Sequence, residues 1–279
     1  MITKNQKFPN VIKADGTREQ FDPAKLESSL RRSNASASVV EQVMDHTLKE
    51  LGEGMTTAQI YKHAFFTLHK LEKPAARRYS LRKAVMDLGP TGFPFEKYIA
   101  EVFKERGYTT LTGQIIEGAC ASHEVDVVAW NDSKLIMVEA KFHNELGMKS
   151  DLKVALYVKA RFDDIAEKTY FYGKRRSVDE AWLVTNTKFT SAAIEYGMCK
   201  GLTMVGWNFP EKNNLQTMIE DGSLHPITCL TSISKKEIVN LVSLGIVLCR
   251  QMKGRNELAK SAGLTQLQIN DVMEEIEQM

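Results

Sequence analysis

The sequence predicts a three-part chain: an α+β front module of one hairpin plus helices, an α/β core with a mixed sheet and flanking helices, and an all-α tail. Three observations carry this. VIKADGTREQF, residues 11–21, sets Asp15-Gly16 between two short strand-like runs, a strong local hairpin signal. GPTGFP, residues 89–94, packs two glycines and two prolines into a linker. Beyond it strands alternate with helices, and from about Ser232 only helical periodicity remains. The boundaries that follow are 1–90, 91–212 and 213–279.

In the front module Asp22-Pro23 reads as an N-cap and first helical residue, with the helix running through Leu26 and Leu30. SVVEQVMDHTLKELG is a second helix closing on Gly52. TTAQIYKHAFFTLHKL is a third, and Thr56 with Gln59 forms a capping box at its start. A fourth is expected from Pro74 to about Gly89. In the core, FEKYIAEVFKERG puts Phe95, Ile99, Val102 and Phe103 on one helical face and stops at Gly107. Then come strands, a helix through Val154, Val158, Phe162 and Ile165, the strand EAWLVTN, the helix TSAAIEYGMCKG and the strand LTMVGWN. In the tail, Ser234 with Glu237 and Thr265 with Gln268 are further capping boxes, and Gly254 and Gly263 fall where helices would stop. No internal repeat or low-complexity tract is evident.

Composition narrows the class. A hydrophobic fraction of 43% and a charged fraction of 26% suit a soluble protein with real cores. The net charge of +2 neither announces nor excludes a nucleic-acid binder. The four cysteines are scattered, without metal-ligand spacing, which points to a reducing, cytoplasmic setting. MITKNQKFPN is too polar for a signal-peptide core, and no apolar run approaches a membrane span, so no membrane partner is expected.

The chemistry concentrates in HEVDVVAWNDSKLIMVEAKFH, residues 123–143. Pairing Trp130 with Leu135 across the polar turn places Asp126 opposite Glu139 and Glu124 opposite Lys141, all on one face. The flanking residues are apolar on both faces, so charge here is expensive and unlike a solvated strand end. Two apposed carboxylates suit a divalent cation with oxygen ligands, Mg²⁺ or Mn²⁺. A lysine two residues on can orient a water or meet charge on a phosphate. This register rests on one turn, and a slip by one residue would destroy it.

Asp126, twelve residues, then Glu139-Ala140-Lys141 resembles the PD-(D/E)XK nuclease motif on its strand hairpin. The preceding FEKYIAEVFKERGY and the following WLVTNTKFTSAAIEYGMCKGLTMVGWN resemble the Mrr-like restriction endonuclease branch, over roughly residues 92–212. Many members of that branch have Gln where this chain has Glu139. The resemblance implies a restriction-endonuclease-like core, metal binding by Asp126 and Glu139, a catalytic Lys141, and Glu96 as a third metal ligand. An exposed helix glutamate is the competing reading of Glu96, and a structural histidine that of His143. DNA is the implied partner. Between Lys141 and Arg176 nine Lys or Arg stand against five Asp or Glu, and Lys174-Arg175-Arg176 is the expected DNA-binding cluster beside the metal site.

In the front hairpin the Asp15-Gly16 turn sets Lys13 opposite Arg18 and Val11 opposite Gln20, with Lys25 one turn into the next helix. Such converging cations suit a polyphosphate, although ordinary basic residues on a small hairpin explain the spacing equally. VIKADGTREQFDPAKLESSLRR closely resembles the ATP-cone, over about 80 residues. This resemblance implies that Val11, Lys13, Arg18 and Lys25 line an ATP or dATP site that senses the nucleotide. The tail faintly resembles helix-hairpin-helix DNA-binding units, and a packing or dimerisation bundle explains it equally.

The reading is a nucleotide-regulated, Mg²⁺-dependent DNA endonuclease of restriction type, acting as a homodimer or higher homo-oligomer to cut two strands. The alternatives are a non-catalytic ATP-sensing DNA-binding regulator and a structure-specific repair nuclease or resolvase.

Overall fold

The structure is a computed structural model describing residues 8–13, 16–145, 147–277 and 279. It has two compact units, one running to Leu81 and one from Arg82.

The first unit opens with the hairpin β1 (Asn10–Ile12) and β2 (Arg18–Gln20), followed by α1 (Pro23–Arg32), α2 (Ala37–Glu50), α3 (Thr57–Leu71) and the start of α4 (Lys73–Met86). The caps are as the sequence predicts: the Asp22 side chain accepts from the amide of Ala24 ahead of Pro23, and Thr56 and Gln59 form the capping box. Val11, Phe21, Leu26, Leu30, Val40, Val43, Ile60, Ala64 and Leu68 form its core.

The hairpin register differs from expectation by one residue. Val11 pairs with Glu19 and Ile12 with Arg18. Asp15 lies outside the described residues, but the amide of Lys13 donates to Thr17 O at 2.8 Å and that of Gly16 to Lys13 O at 3.0 Å. Gly16, at φ +80°, closes a three-residue loop rather than a two-residue turn. Glu19, not Arg18, therefore shares the face of Val11 and Lys13.

The second unit holds a five-stranded sheet in the order β11 (Thr203–Val205), β9 (Glu180–Thr185), β5 (Leu135–Lys141), β4 (Ser122–Trp130), β3 (Thr109–Glu117). The β3–β4–β5 meander is antiparallel, and β5, β9 and β11 run parallel. The fold is thus the expected α/β class with a mixed sheet. Helix α5 (Phe93–Glu105) covers one face, with Phe103 against Trp182 at 5.1 Å and Phe95 against Phe142 at 5.4 Å between ring centroids. The alternating residues Ala181 and Leu183 turn the other way and pack with α6 (Leu152–Ala166) and α7 (Ser191–Cys199). Two pairs stand outside the main sheet: β6 (Lys149–Ser150) with β10 (Lys188–Phe189), and β7 (Tyr170–Tyr172) with β8 (Lys174–Arg176).

The expected linker is shorter than GPTGFP, because Phe93 and Pro94 already belong to α5. The two compact units also divide within α4 rather than at the glycines. Its last turns have partners in the second unit: Thr228 Oγ1 donates to Ala84 O, and Asn186 Nδ2 lies 2.9 Å from Met86 Sδ.

After α8 (Leu215–Asp221) come α9 (Lys235–Ser243), α10 (Asn256–Ser261) and α11 (Gln266–Glu277), with both tail capping boxes formed. The tail also shows a recurring order of short elements that the sequence does not reveal. Pro226 and Leu248 form an antiparallel bridge, and each is followed by a 3₁₀ turn holding a buried cysteine, Cys229 or Cys249. A short helix and a left-handed glycine, Gly245 or Gly263, complete each stretch. The two stretches share this order of elements but few identical residues, which is why no repeat is legible.

Candidate active site and charged clusters

Trp130 pairs with Leu135, and the expected register continues through Ala129/Ile136 and Val128/Met137 to Val127/Val138, where the pairing stops. Asp126 and Glu139 are therefore next in register but beyond the last pair. On the opposite side of β4, Thr112 pairs with Val127 and Gln114 with Val125, leaving Gly113 across from Asp126 at φ +59°. That backbone state suits glycine and marks a strand kink. Asp126 thus stands where β5 parts from β4 and where β3, still in register, kinks at Gly113. Its Oδ2 fills the gap on the β5 side by accepting from the amide of Ala140 at 2.7 Å. Glu139 stays paired with Leu183 of β9.

The sheet face carrying Glu139 also carries Met137, which packs with Ile165 of α6. From that helix Arg161 donates to Glu139 Oε2 at 2.6 Å, with side chains only 13% and 20% exposed. The Arg161 guanidinium lies 4.9 Å from the Tyr157 ring centroid. Lys141 is exposed at the end of β5 and, among the described residues, has no ion-pair partner; the expected contact with Glu124 does not form.

Burial and mutual repulsion govern the carboxylates. Burial pushes Asp126 up, opposed by the Ala140 amide and Arg161. Burial and then Asp126 push Glu139 up, opposed by Arg161 and Lys141. Glu96, near the start of α5, is pushed up to about 7, first by burial and then by Asp126, Glu124 and Glu139. It therefore senses the pair, although among the described residues no three Asp, Glu, His or Cys side chains form a closed metal-holding group. Two hard oxygen donors with a third carboxylate nearby still fit Mg²⁺, which keeps several waters and takes one or two protein carboxylates. The raised carboxylates are what a site short of positive charge looks like.

His143 is held structurally. Its Nε2 lies 2.9 Å from Ser150 Oγ, its amide donates to Asn186 Oδ1, and burial lowers its pKa. Lys174, Arg175 and Arg176 are not beside the carboxylates. Lys174 Nζ donates to Asp132 O and Arg176 Nη1 to Asn131 O, at the β4–β5 turn. That turn is five residues from Asp126, about 17 Å of strand.

In the first unit Lys13 Nζ and Lys25 Nζ lie 2.6 and 3.2 Å from the Glu19 carboxylate. The Lys13 hydrogen bond, then that of Lys25, holds Glu19 below the usual carboxylate range. Arg18 is exposed on the opposite hairpin face, and Val11 is buried in the core.

Arg161 and Glu19 were not singled out from the sequence. Arg161 left only a faint signal, an arginine flanking the apolar stripe of Val158 and Ile165. Glu19 was hidden by the one-residue shift in register.

Comparison with known proteins gives three matched families along the chain: ATP cone domain over residues 9–86, restriction endonuclease of the Mrr catalytic type over 90–206, and AF1548-like C-terminal over 225–279. An uncharacterised protein of Archaeoglobus fulgidus is 35% identical over 178 residues, which is 63% of this chain and 97% of that one. A crystal structure of AF1548, described as a protein of unknown function, aligns with a TM-score of 0.56 at 33% identity, covering 67% of this chain and 97% of that chain. A chain of the MspJI restriction endonuclease, in complex with a 27-mer oligonucleotide, is 14% identical with a TM-score of 0.28, covering 70% of this chain and 45% of that one. A similarity that low carries no argument.

Proposed function

The chain belongs to the AF1548-like family and joins an ATP cone to an Mrr-like restriction endonuclease domain, and on that premise we propose that it is a divalent-metal-dependent DNA endonuclease regulated by a nucleotide on its cone. The observation that carries the reading is the convergence of Asp126, Glu139 and Glu96, each with its carboxyl pushed toward the neutral form, beside Lys141.

Asp126 and Glu139 would hold the cation, with Glu96 the nearest third carboxylate. A bound cation supplies charge neutralisation at the phosphate and a more acidic water. Asp126 is pre-positioned by the Ala140 amide. Lys141, free of other ion pairs among the described residues, orients the attacking water or meets the developing phosphate charge. Val11, Lys13 and Lys25 would line the ATP or dATP site; Arg18 faces away from them in the observed register. Two such sites in a homodimer are the simplest arrangement for cutting both strands.

Arg161 on Glu139 favours a second reading, a non-catalytic ATP-sensing DNA binder, because the guanidinium already neutralises one carboxylate. Plasmid incubated with the full chain, with and without Mg²⁺ and ATP, separates them. Mg²⁺-dependent nicking or linearisation supports the nuclease; DNA binding without cleavage at any Mg²⁺ or Mn²⁺ concentration supports the binder.

A further inference from the structure

Between α6 and β9 the chain makes a ribbon that the main sheet does not use: β7 and β8 pair only with each other. Gly173, at φ +72°, is the single residue between Tyr172 and Lys174, a turn that demands glycine. The pairing puts Tyr170, Tyr172, Lys174 and Arg176 on one ribbon face and Phe171 with Arg175 on the other.

The first face is fastened along its length. The Tyr170 hydroxyl lies 2.9 Å from both Glu117 O and Ile165 O. The Tyr172 ring packs on Trp130 at 5.0 Å, and Lys174 and Arg176 hold the β4–β5 turn through its carbonyls. The second face is open. Phe171 is 76% exposed, more than any other large apolar side chain among the described residues. Arg175 stands directly across from it, with Nη1 3.1 Å from Thr169 Oγ1. Residues 168–178 contain four cations and no Asp or Glu.

An exposed aromatic ring on a fastened ribbon, beside a guanidinium in a locally cationic stretch, matches a base and its phosphate. We propose that this ribbon is a stacking platform for an unpaired nucleotide of the DNA substrate, the base on Phe171 and the phosphate on Arg175. The proposal rests on the nuclease reading and names its substrate class. Trp130, under Tyr172, shares the β4 face of Asp126 by alternation, four residues away. That is about 13 Å of strand, or about four nucleotide rises. Bases inside an intact duplex are stacked on each other and offer no free face, so the ribbon selects DNA with a single-stranded segment near the cut.

Fluorescence anisotropy with the full chain in EDTA reads binding without cleavage. The probes are a blunt duplex and the same duplex with a short single-stranded tail. Wild type is expected to prefer the tailed probe, and Phe171→Ala to lose about ten-fold of that preference with an unchanged melting curve. Phe171→Trp keeps the preference, and its indole fluorescence is quenched by the tail. A Phe171→Ala variant with the wild-type preference, or a wild type with none, overturns the proposal. Tail binding through Phe171 without Mg²⁺-dependent cutting keeps the platform and removes the nuclease. Cutting with no tail preference does the reverse.

Discussion

In the cone, Glu19 lies in the open between Lys13 and Lys25, and its carboxyl is held below the ordinary range. At the end of the β4–β5 hairpin, Asp126 and Glu139 are largely buried, share Arg161 and Lys141 as their nearby cations, and are pushed above it. The side-chain types are nearly the same; solvent decides the difference. An exposed carboxylate keeps its hydration and takes up cations without strain, and such pairs contribute little to stability. A buried pair gives up hydration and repels its neighbour, so its charge is sustained only by something positive in contact. On the proposed function, the cone cations would turn to an arriving polyphosphate at small cost, whereas the carboxylates would need a cation of their own.

Removing the lysine at the carboxylate end is the sharpest way to test this contrast. Lys141→Ala should lower Mg²⁺-dependent cleavage by about 10²- to 10⁴-fold, with Mn²⁺ binding retained in calorimetry. Asp126→Ala and Glu139→Ala should lose metal binding itself. Wild-type cleavage in the lysine variant removes its catalytic role, and wild-type calorimetry in both acid variants removes them from the metal site.

The next effect in size is on folding. Arg161→Ala leaves Glu139 beside Asp126 with no guanidinium, a broken buried pair costing about 3 kcal/mol. Chemical denaturation should read that loss in EDTA, and added Mg²⁺ should restore more stability to the variant than to wild type. Equal stability in EDTA would mean that Arg161 is not what sustains the pair.

What was legible in the sequence follows the same physics. Caps, apolar stripes and the hairpin register from Trp130/Leu135 onward are local consequences of residue type, and Thr56/Gln59, Ser234/Glu237 and Asp22-Pro23 formed as read. The Asp126 environment was only half legible. Spacing brings it near Glu139, but the strand divergence, the kink at Gly113 and the arrival of Arg161 from another element depend on tertiary packing. Lys174 to Arg176 lie at the β4–β5 turn and not beside the carboxylates, because closeness in sequence to the motif is not closeness in space. The front hairpin misled because Asp15-Gly16 suits a two-residue turn, while Gly16 closes a three-residue loop.

A smaller effect is expected at the exposed cluster. Lys13→Ala and Lys25→Ala should each weaken ATP or dATP binding by about 1.5 to 3 kcal/mol, through lost charge-assisted phosphate bonds, and leave the melting midpoint of the nucleotide-free protein unchanged. A fluorescent ATP analogue measures the first part. Equal affinities would strip the cone cluster of its ligand, and a large drop in melting midpoint would show that exposure had misjudged its structural weight.

The smallest expected effect belongs to a carboxylate between the two extremes. Asp164 of α6 accepts from the amides of Cys120 and Ala121 at 2.7 and 3.2 Å and lies 2.7 Å from His123 Nε2, gathering the β3–β4 turn. The His123 hydrogen bond and then the two amides lower its pKa to about 2, against the opposing pull of burial. A carboxyl lowered on folding adds stability that is complete above its unfolded value, about 3.9, and is lost as pH falls through the folded one. Asp164→Asn keeps the shape but not the charge. Its melting midpoint should lie below wild type by a constant margin at neutral pH, and the gap should close as pH falls from about 4 toward about 2. A gap that persists unchanged at the acid end would assign the loss to amide geometry instead of charge, and would place Asp164 with the cone cluster as an ion pair that the fold scarcely uses.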